Sequence, residues 1–119
     1  DERLKRVIQF IDECGFESKS RVWRKADLYS LLIELDVARN SKELALQPSI
    51  VLNSIQSFME GIEKNLYESS LSHAVYYKAA LQATNDKINR IRRGSVIGLL
   101  IEGKQLAEID TYLSESGLA

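Results

Sequence analysis

The sequence is poor in the residues that interrupt helices, with one proline and six glycines in 119 residues. Sandwiches and barrels made of strands need many more turn-forming residues than this. Cysteine and histidine are scarcer still, because Cys14 and His73 are the only ones. A single cysteine excludes a disulfide within the chain, and so few ligands argue against a zinc cluster. We therefore expect a helical protein that holds no metal and no other cofactor.

Neither sign of charge prevails, since 16 Lys and Arg residues face 17 Asp and Glu residues. That balance gives no bulk attraction to nucleic acid or to an anionic membrane. The longest apolar runs, such as residues 96–101, are far shorter than the roughly 20 residues of a membrane span. No signal peptide follows Asp1, so we expect a cytoplasmic protein without a membrane partner. Because no initiator methionine is present, we also expect residues 1–119 to be one domain of a longer chain.

Apolar residues recur every three or four positions along most of the chain, which is typical of helices with one buried face. The spacing predicts six helices, over residues 2–14, 25–40, 48–67, 71–83, 86–102 and 104–116. No segment shows the strict alternation of a half-buried strand. We therefore expect an all-α fold, a bundle of five to six helices. The predicted core residues of the second and third helices are Leu28, Leu31, Leu32, Leu35, Val51, Ile55, Phe58 and Ile62, and the apolar seam of the third helix continues to Leu66.

A basic stripe near the start of the fifth predicted helix is the most distinctive candidate site. We define it as Lys87, Arg90 and Arg93, which are three residues apart and so share one helical face. Ile88 and Ile91 would supply the buried face, which would leave the three cations pointing outward. Arginine offers a planar fork of donors that suits phosphate oxygens. The stripe therefore predicts phosphate contacts; the alternative is a solvated surface that nearby acidic side chains neutralise.

A second basic cluster surrounds an aromatic residue and consists of Lys19, Arg21, Trp23, Arg24 and Lys25. Basic residues beside an aromatic ring can hold a nucleic acid whose bases stack on that ring. The alternative is a connecting segment in which Trp23 anchors the chain to the core.

Residues suited to catalysis are not gathered in any familiar pattern. The sequence contains no Gly-rich phosphate loop, no spacing that suggests a Ser-His-Asp triad and no paired carboxylates. His73 lacks neighbouring metal ligands, so we expect an exposed or internally satisfied side chain. Cys14 falls on an apolar stripe and is expected to pack in the core. We therefore predict no catalytic residue and no enzymatic activity.

Two segments resemble the helical region of the GmrSD-type restriction endonuclease family. Residues 23–31 resemble the stretch that introduces this region, and residues 77–85, followed by Arg90 and Arg93, look like the segment that closes it. The similarity covers roughly residues 20–103. In that family a ParB-like part precedes the helical region and carries an Asp-Gly-Gln-Gln-Arg motif, which this sequence does not contain.

The resemblance implies a prokaryotic protein of defence against foreign DNA, in which this helical domain supports a ParB-like domain of the same chain. It transfers no catalytic residue. Asn85, Arg90 and Arg93 match polar positions of the closing segment, so Asn85 joins the basic stripe as a candidate phosphate or nucleic-acid contact. DNA and a second copy of the chain are the other expected partners. The alternative function is a separate helical module for protein interaction or dimerisation.

Overall fold

The computed structural model describes residues 1–119 and contains six α-helices and no strand. They are α1 (Glu2–Cys14), α2 (Lys25–Asp36), α3 (Pro48–Glu63), α4 (Leu71–Leu81), α5 (Lys87–Ile101) and α6 (Leu106–Glu115). A single π-helical turn, Val37–Ser41, continues α2. The predicted all-α bundle is confirmed. None of the helices has the length and apolar composition that crossing a membrane requires.

Local sequence signals set several of the helix boundaries. The Asp1 side chain accepts a hydrogen bond of 2.8 Å from the Leu4 N–H, and Gly15 ends α1 with a φ of 76°. These are the capping arrangements that satisfy the free backbone groups at helix ends. Pro48 begins α3, where its missing N–H costs no hydrogen bond. The predicted α1 therefore has the observed bounds.

The third helix is shorter than predicted. It ends at Glu63, and Asn65 then adopts a left-handed conformation with a φ of 65°. Leu66 consequently leaves the apolar seam, where it was predicted, and lies 42% exposed. Tyr67 also lies beyond the helix, where its ring stacks on Tyr77 at 4.0 Å.

Helix α5 lies at the centre of the bundle and contacts α2, α3, α4 and α6. One cluster of 22 buried residues fills the space between the helices. Six of the eight predicted core residues belong to it, whereas Leu28 and Leu32 are half-buried at its edge. The residues confirmed in the core are Leu31, Leu35, Val51, Ile55, Phe58 and Ile62.

Candidate binding groove

A groove of about 570 Å³ runs along the outer face of α5, beside α2. We call it the α2–α5 groove. Lys87, Arg90, Gly94 and Gly98 of α5 line it, together with Glu102 directly after the helix. Because these positions are three or four apart, they form one stripe along the helix. The volume lies within the range of about 300–1,000 Å³ that is usual for sites of small ligands.

Glycine at two positions of α5 makes room for the Glu34 carboxylate. A Cβ atom built on Gly94 would lie 2.8 Å from Glu34 Oε2, and one built on Gly98 would lie 2.8 Å from Glu34 Oε1. Both distances are shorter than real Cβ contacts allow. The two carboxylate oxygens therefore lie side by side along α5, each over one glycine.

The Glu34 carboxylate lies in the groove without an ion pair or a hydrogen-bond donor from the chain. Burial raises the pKa of Glu34, the charge of Lys42 lowers it in part, and Glu102 raises it further. Lys42 is itself engaged by Glu102, at 2.6 Å from Nζ to Oε2. A half-buried carboxylate that lacks a partner opposes folding at neutral pH, because its charged form loses solvation. Side chains whose surroundings destabilise the folded protein in this way are concentrated at binding sites.

The other end of the groove is positive. Lys87 and Arg90 lie one to two helical turns before Gly94 and are exposed. All four ion pairs of the chain involve other residues, and Asp86, four residues before Arg90, pairs with neither of the two cations. Asn85 is exposed in the turn before α5 and does not line the groove. The groove therefore has two unpaired cations within reach of an anionic ligand.

Arg93 does not join them, so the prediction that the basic stripe points outward as a unit was wrong. Arg93 is only 2% exposed. Its Nε donates to Ser30 Oγ at 3.1 Å and its Nη1 donates to the Ala79 carbonyl at 2.8 Å. Ile88 and Ile91, expected on the buried face, are each 43% exposed. The sequence signal was present, because Arg93 begins the stripe that continues through the buried residues Val96, Ile97, Leu100 and Ile101.

A buried polar network centred on Asp27 lies close enough to Arg93 for their charges to interact. The Tyr76 hydroxyl donates to the Asp27 carboxylate, and Arg21 Nε lies 3.3 Å from Asp27 Oδ2. Burial raises the pKa of Asp27, and its bond with Tyr76 and the charge of Arg21 offset part of that effect. Ser30 accepts from Arg93 and also lines the groove. The Ser30–Arg93 hydrogen bond thus joins α2 to α5, the two helices that form the groove.

The basic cluster around Trp23 is divided by the fold. Arg21 is buried beside Asp27, whereas Trp23 is 41% exposed and donates its Nε1–H to the Glu17 carbonyl at 2.8 Å. The expectation that Trp23 anchors the chain in the core was wrong. Val22 and Phe16 take that position instead, since they are 0% and 7% exposed.

The only histidine and the only cysteine are both buried. His73 stacks on Phe58 with ring centroids 4.1 Å apart, and its Nδ1 lies 2.8 Å from Ser70 Oγ. A Cβ atom at Gly61 would lie 2.5 Å from His73 Nε2, so the ring occupies space that only glycine leaves. Cys14 is in the core as predicted, and burial raises the pKa of its thiol to about 11. Neither side chain is accessible to a ligand in the groove.

The comparisons with known proteins leave the family of this chain open. The resemblance to the GmrSD-type family therefore remains an expectation from residues 23–31 and from residues 77–85 with Arg90 and Arg93. No protein-family model, curated protein or solved structure matches the chain.

Proposed function

We propose that this chain is a non-catalytic helical domain that binds a phosphate-bearing ligand, a nucleotide or a nucleic acid, in the α2–α5 groove. The observation that carries the proposal is the pair of unpaired cations, Lys87 and Arg90, on the lining of the groove. Tyr29 and Tyr112, 46% and 45% exposed, offer aromatic faces in the same groove. Cations beside aromatic rings suit ligands that combine phosphates with bases.

The proposed role fits the context that the GmrSD-type resemblance implies. A helical domain beside a ParB-like domain in a DNA-defence protein would meet nucleotides or nucleic acid. The burial of His73 and Cys14 supports a binding role over a catalytic one, because these are the chain's only imidazole and thiol.

Charge reversal of the two groove cations tests the proposal. We expect the Lys87→Glu, Arg90→Glu double variant to bind phosphate-bearing probes at least about tenfold more weakly, because each lost charge-assisted contact contributes about 1.5–3 kcal/mol. The probes are a nucleoside monophosphate in calorimetry and a fluorescent oligonucleotide in polarisation. For an oligonucleotide, the dependence of affinity on salt should also become shallower.

The matched control reverses two exposed lysines outside the groove, Lys64→Glu and Lys104→Glu, and so changes the net charge equally. It should leave binding within about twofold of wild type, since the loss comes from two particular contacts rather than from net charge. Equal binding by the two double variants, or no binding of any probe by the wild type, would overturn the proposal.

A second candidate function is a module for protein interaction, and exposed apolar side chains favour it. Ile33 lines both the α2–α5 groove and a smaller groove of about 280 Å³ between α1 and α2. Leu4 lines the smaller groove, and these two side chains are 40% and 48% exposed. Adjacent apolar side chains in water are typical of contact surfaces.

In its simplest form the interaction module is a homodimer, in which a second copy of the chain covers the apolar surface around Leu4 and Ile33. Light scattering over a series of concentrations should then give a mass that rises toward two chains, and Leu4→Asp with Ile33→Asp should return the mass to that of one chain. A constant single-chain mass for the wild type at high concentration would exclude the homodimer.

A further inference from the structure

We propose that the α2–α5 groove is a site for a guanine nucleotide, in which the Glu34 carboxylate accepts the base and Lys87 and Arg90 hold the phosphate. This inference rests on the proposed function, because it names the ligand of the same groove. Its evidence is the position of the Glu34 carboxylate, because phosphate binding by Lys87 and Arg90 does not require a carboxylate there.

The Glu34 carboxylate presents two free acceptors side by side. Its oxygens lie over Gly94 and Gly98, and the chain supplies no donor to either. The Watson–Crick edge of guanine carries two adjacent donors, the ring N1–H and the exocyclic 2-amino group. A carboxylate pairs with such a donor pair through two parallel hydrogen bonds, which adds geometric selectivity to strength. Adenine lacks this pair of donors, and hypoxanthine lacks the 2-amino group.

The spacing along α5 matches a single nucleotide. Arg90 and Lys87 precede Gly94 by four and seven residues on the groove face. At a rise of about 1.5 Å per residue, they lie about 6 Å and 10 Å from Gly94 along the helix axis. A mononucleotide spans a comparable length from the edge of its base to its 5′ phosphate. The exposed rings of Tyr29 and Tyr112 are available to stack on the base between these ends.

Opposite charges at the two ends of the groove favour this ligand over a peptide. A guanidinium group of a partner would also satisfy the two oxygens of Glu34, but the neighbouring positions of α5 carry the cations Lys87 and Arg90. A ligand with donors at one end and negative charge at the other meets both features. Lys42 does not pair with Glu34, because its Nζ forms an ion pair with Glu102 Oε2 at 2.6 Å.

Glu34→Gln tests the proposal with calorimetric titrations of GMP, IMP and AMP. The wild type should bind GMP about tenfold or more tightly than IMP and AMP, because each competitor leaves an oxygen of Glu34 unpaired. In Glu34→Gln this preference should disappear, since the amide presents an N–H where the base also donates. The control Glu63→Gln removes an exposed carboxylate of α3 and should retain the preference.

Gly98→Ala is a second variant that moves the carboxylate without altering its charge. The added methyl group would meet Glu34 Oε1, the far end of a flexible side chain, so the carboxylate should swing aside. Alanine also favours the helix more than glycine does. We therefore expect an unchanged or higher melting temperature together with loss of the preference for GMP.

The outcomes separate this inference from the proposed function. Equal binding of all three nucleotides, sensitive to Lys87→Glu with Arg90→Glu, would overturn the guanine assignment and keep the phosphate site. Binding of a guanine-containing single-stranded oligonucleotide but not of GMP would also overturn the assignment to a free nucleotide. A preference for GMP that survives in Glu34→Gln would show that Glu34 does not receive the base, and absence of binding to every probe would overturn both proposals.

Discussion

Replacing Asp27 with alanine is expected to lower the free energy of unfolding by about 3–5 kcal/mol, because it leaves the buried Arg21 without its counter-charge. Asp27 is 1% exposed, and Arg21 and Arg93 around it are 6% and 2% exposed. The substitution also removes the acceptor of the Tyr76 hydroxyl, which is itself fully buried. Chemical denaturation followed by circular dichroism measures the change.

The large expected loss does not imply that the ion pair itself contributes much stability. Burial raises the pKa of Asp27 despite Tyr76 and Arg21, so folding disfavours its charged form. The cost of the alanine variant comes from the groups that it leaves unsatisfied. Asp27→Asn keeps an acceptor for Tyr76 and should therefore cost less than Asp27→Ala.

Asp12→Ala, an exposed position of α1, is the matched control and should change stability by less than about 0.5 kcal/mol. A loss below about 1 kcal/mol for Asp27→Ala would show that Arg21 finds another partner or water when the carboxylate is removed.

The sequence predicted the helices better than it predicted their rotation about their own axes. Apolar periodicity located all six helices, and the predicted bounds of α1 are the observed ones. The rotation of α5 was missed because Ile88 and Ile91 were preferred to Arg93 as buried residues. Isoleucine is more hydrophobic than arginine, which supports that preference. Hydrophobicity, however, takes no account of hydrogen-bond partners that other parts of the chain supply to Arg93. Ser30 and the Ala79 carbonyl satisfy Arg93, and both lie far from it in sequence.

The candidate site was partly accessible from the sequence, since Lys87 and Arg90 were identified and both line the groove. Glu34 was not identified, because the sequence around a single carboxylate in an apolar helix does not indicate which residues will surround it. Its role depends on the contact of α2 with Gly94 and Gly98, a tertiary feature. The spacing of those glycines, four residues apart on one face of α5, is the signal that could have indicated a close approach.

Phe58→Ala is expected to lower the free energy of unfolding by about 3–5 kcal/mol, the range for truncating a buried phenylalanine. Phe58 is 3% exposed, stacks on His73 and meets the Tyr76 ring edge-on at 5.5 Å. The substitution removes both aromatic contacts and leaves a cavity between α3 and α4. Ile50→Ala is the control on the same helix. Ile50 is 57% exposed, so this substitution should lower the free energy of unfolding by less than about 0.5 kcal/mol.

The same variant should also weaken the dependence of stability on pH. Burial lowers the pKa of His73 from its usual 6.5, so the unfolded chain binds this proton more readily than the folded protein. The stability contributed by the neutral imidazole is therefore present above about pH 6.5 and is lost as the pH falls toward the lowered value. Removal of the Phe58 ring admits water to the imidazole, which should restore part of its solvation and flatten the slope of unfolding free energy against pH below pH 6.5.

Denaturation curves from pH 5 to pH 8 for the wild type, Phe58→Ala and Phe58→Leu measure this effect. Phe58→Leu fills most of the cavity and should retain more of the slope than Phe58→Ala. An equal slope in all three proteins would show that the Phe58 ring does not control the solvation of His73.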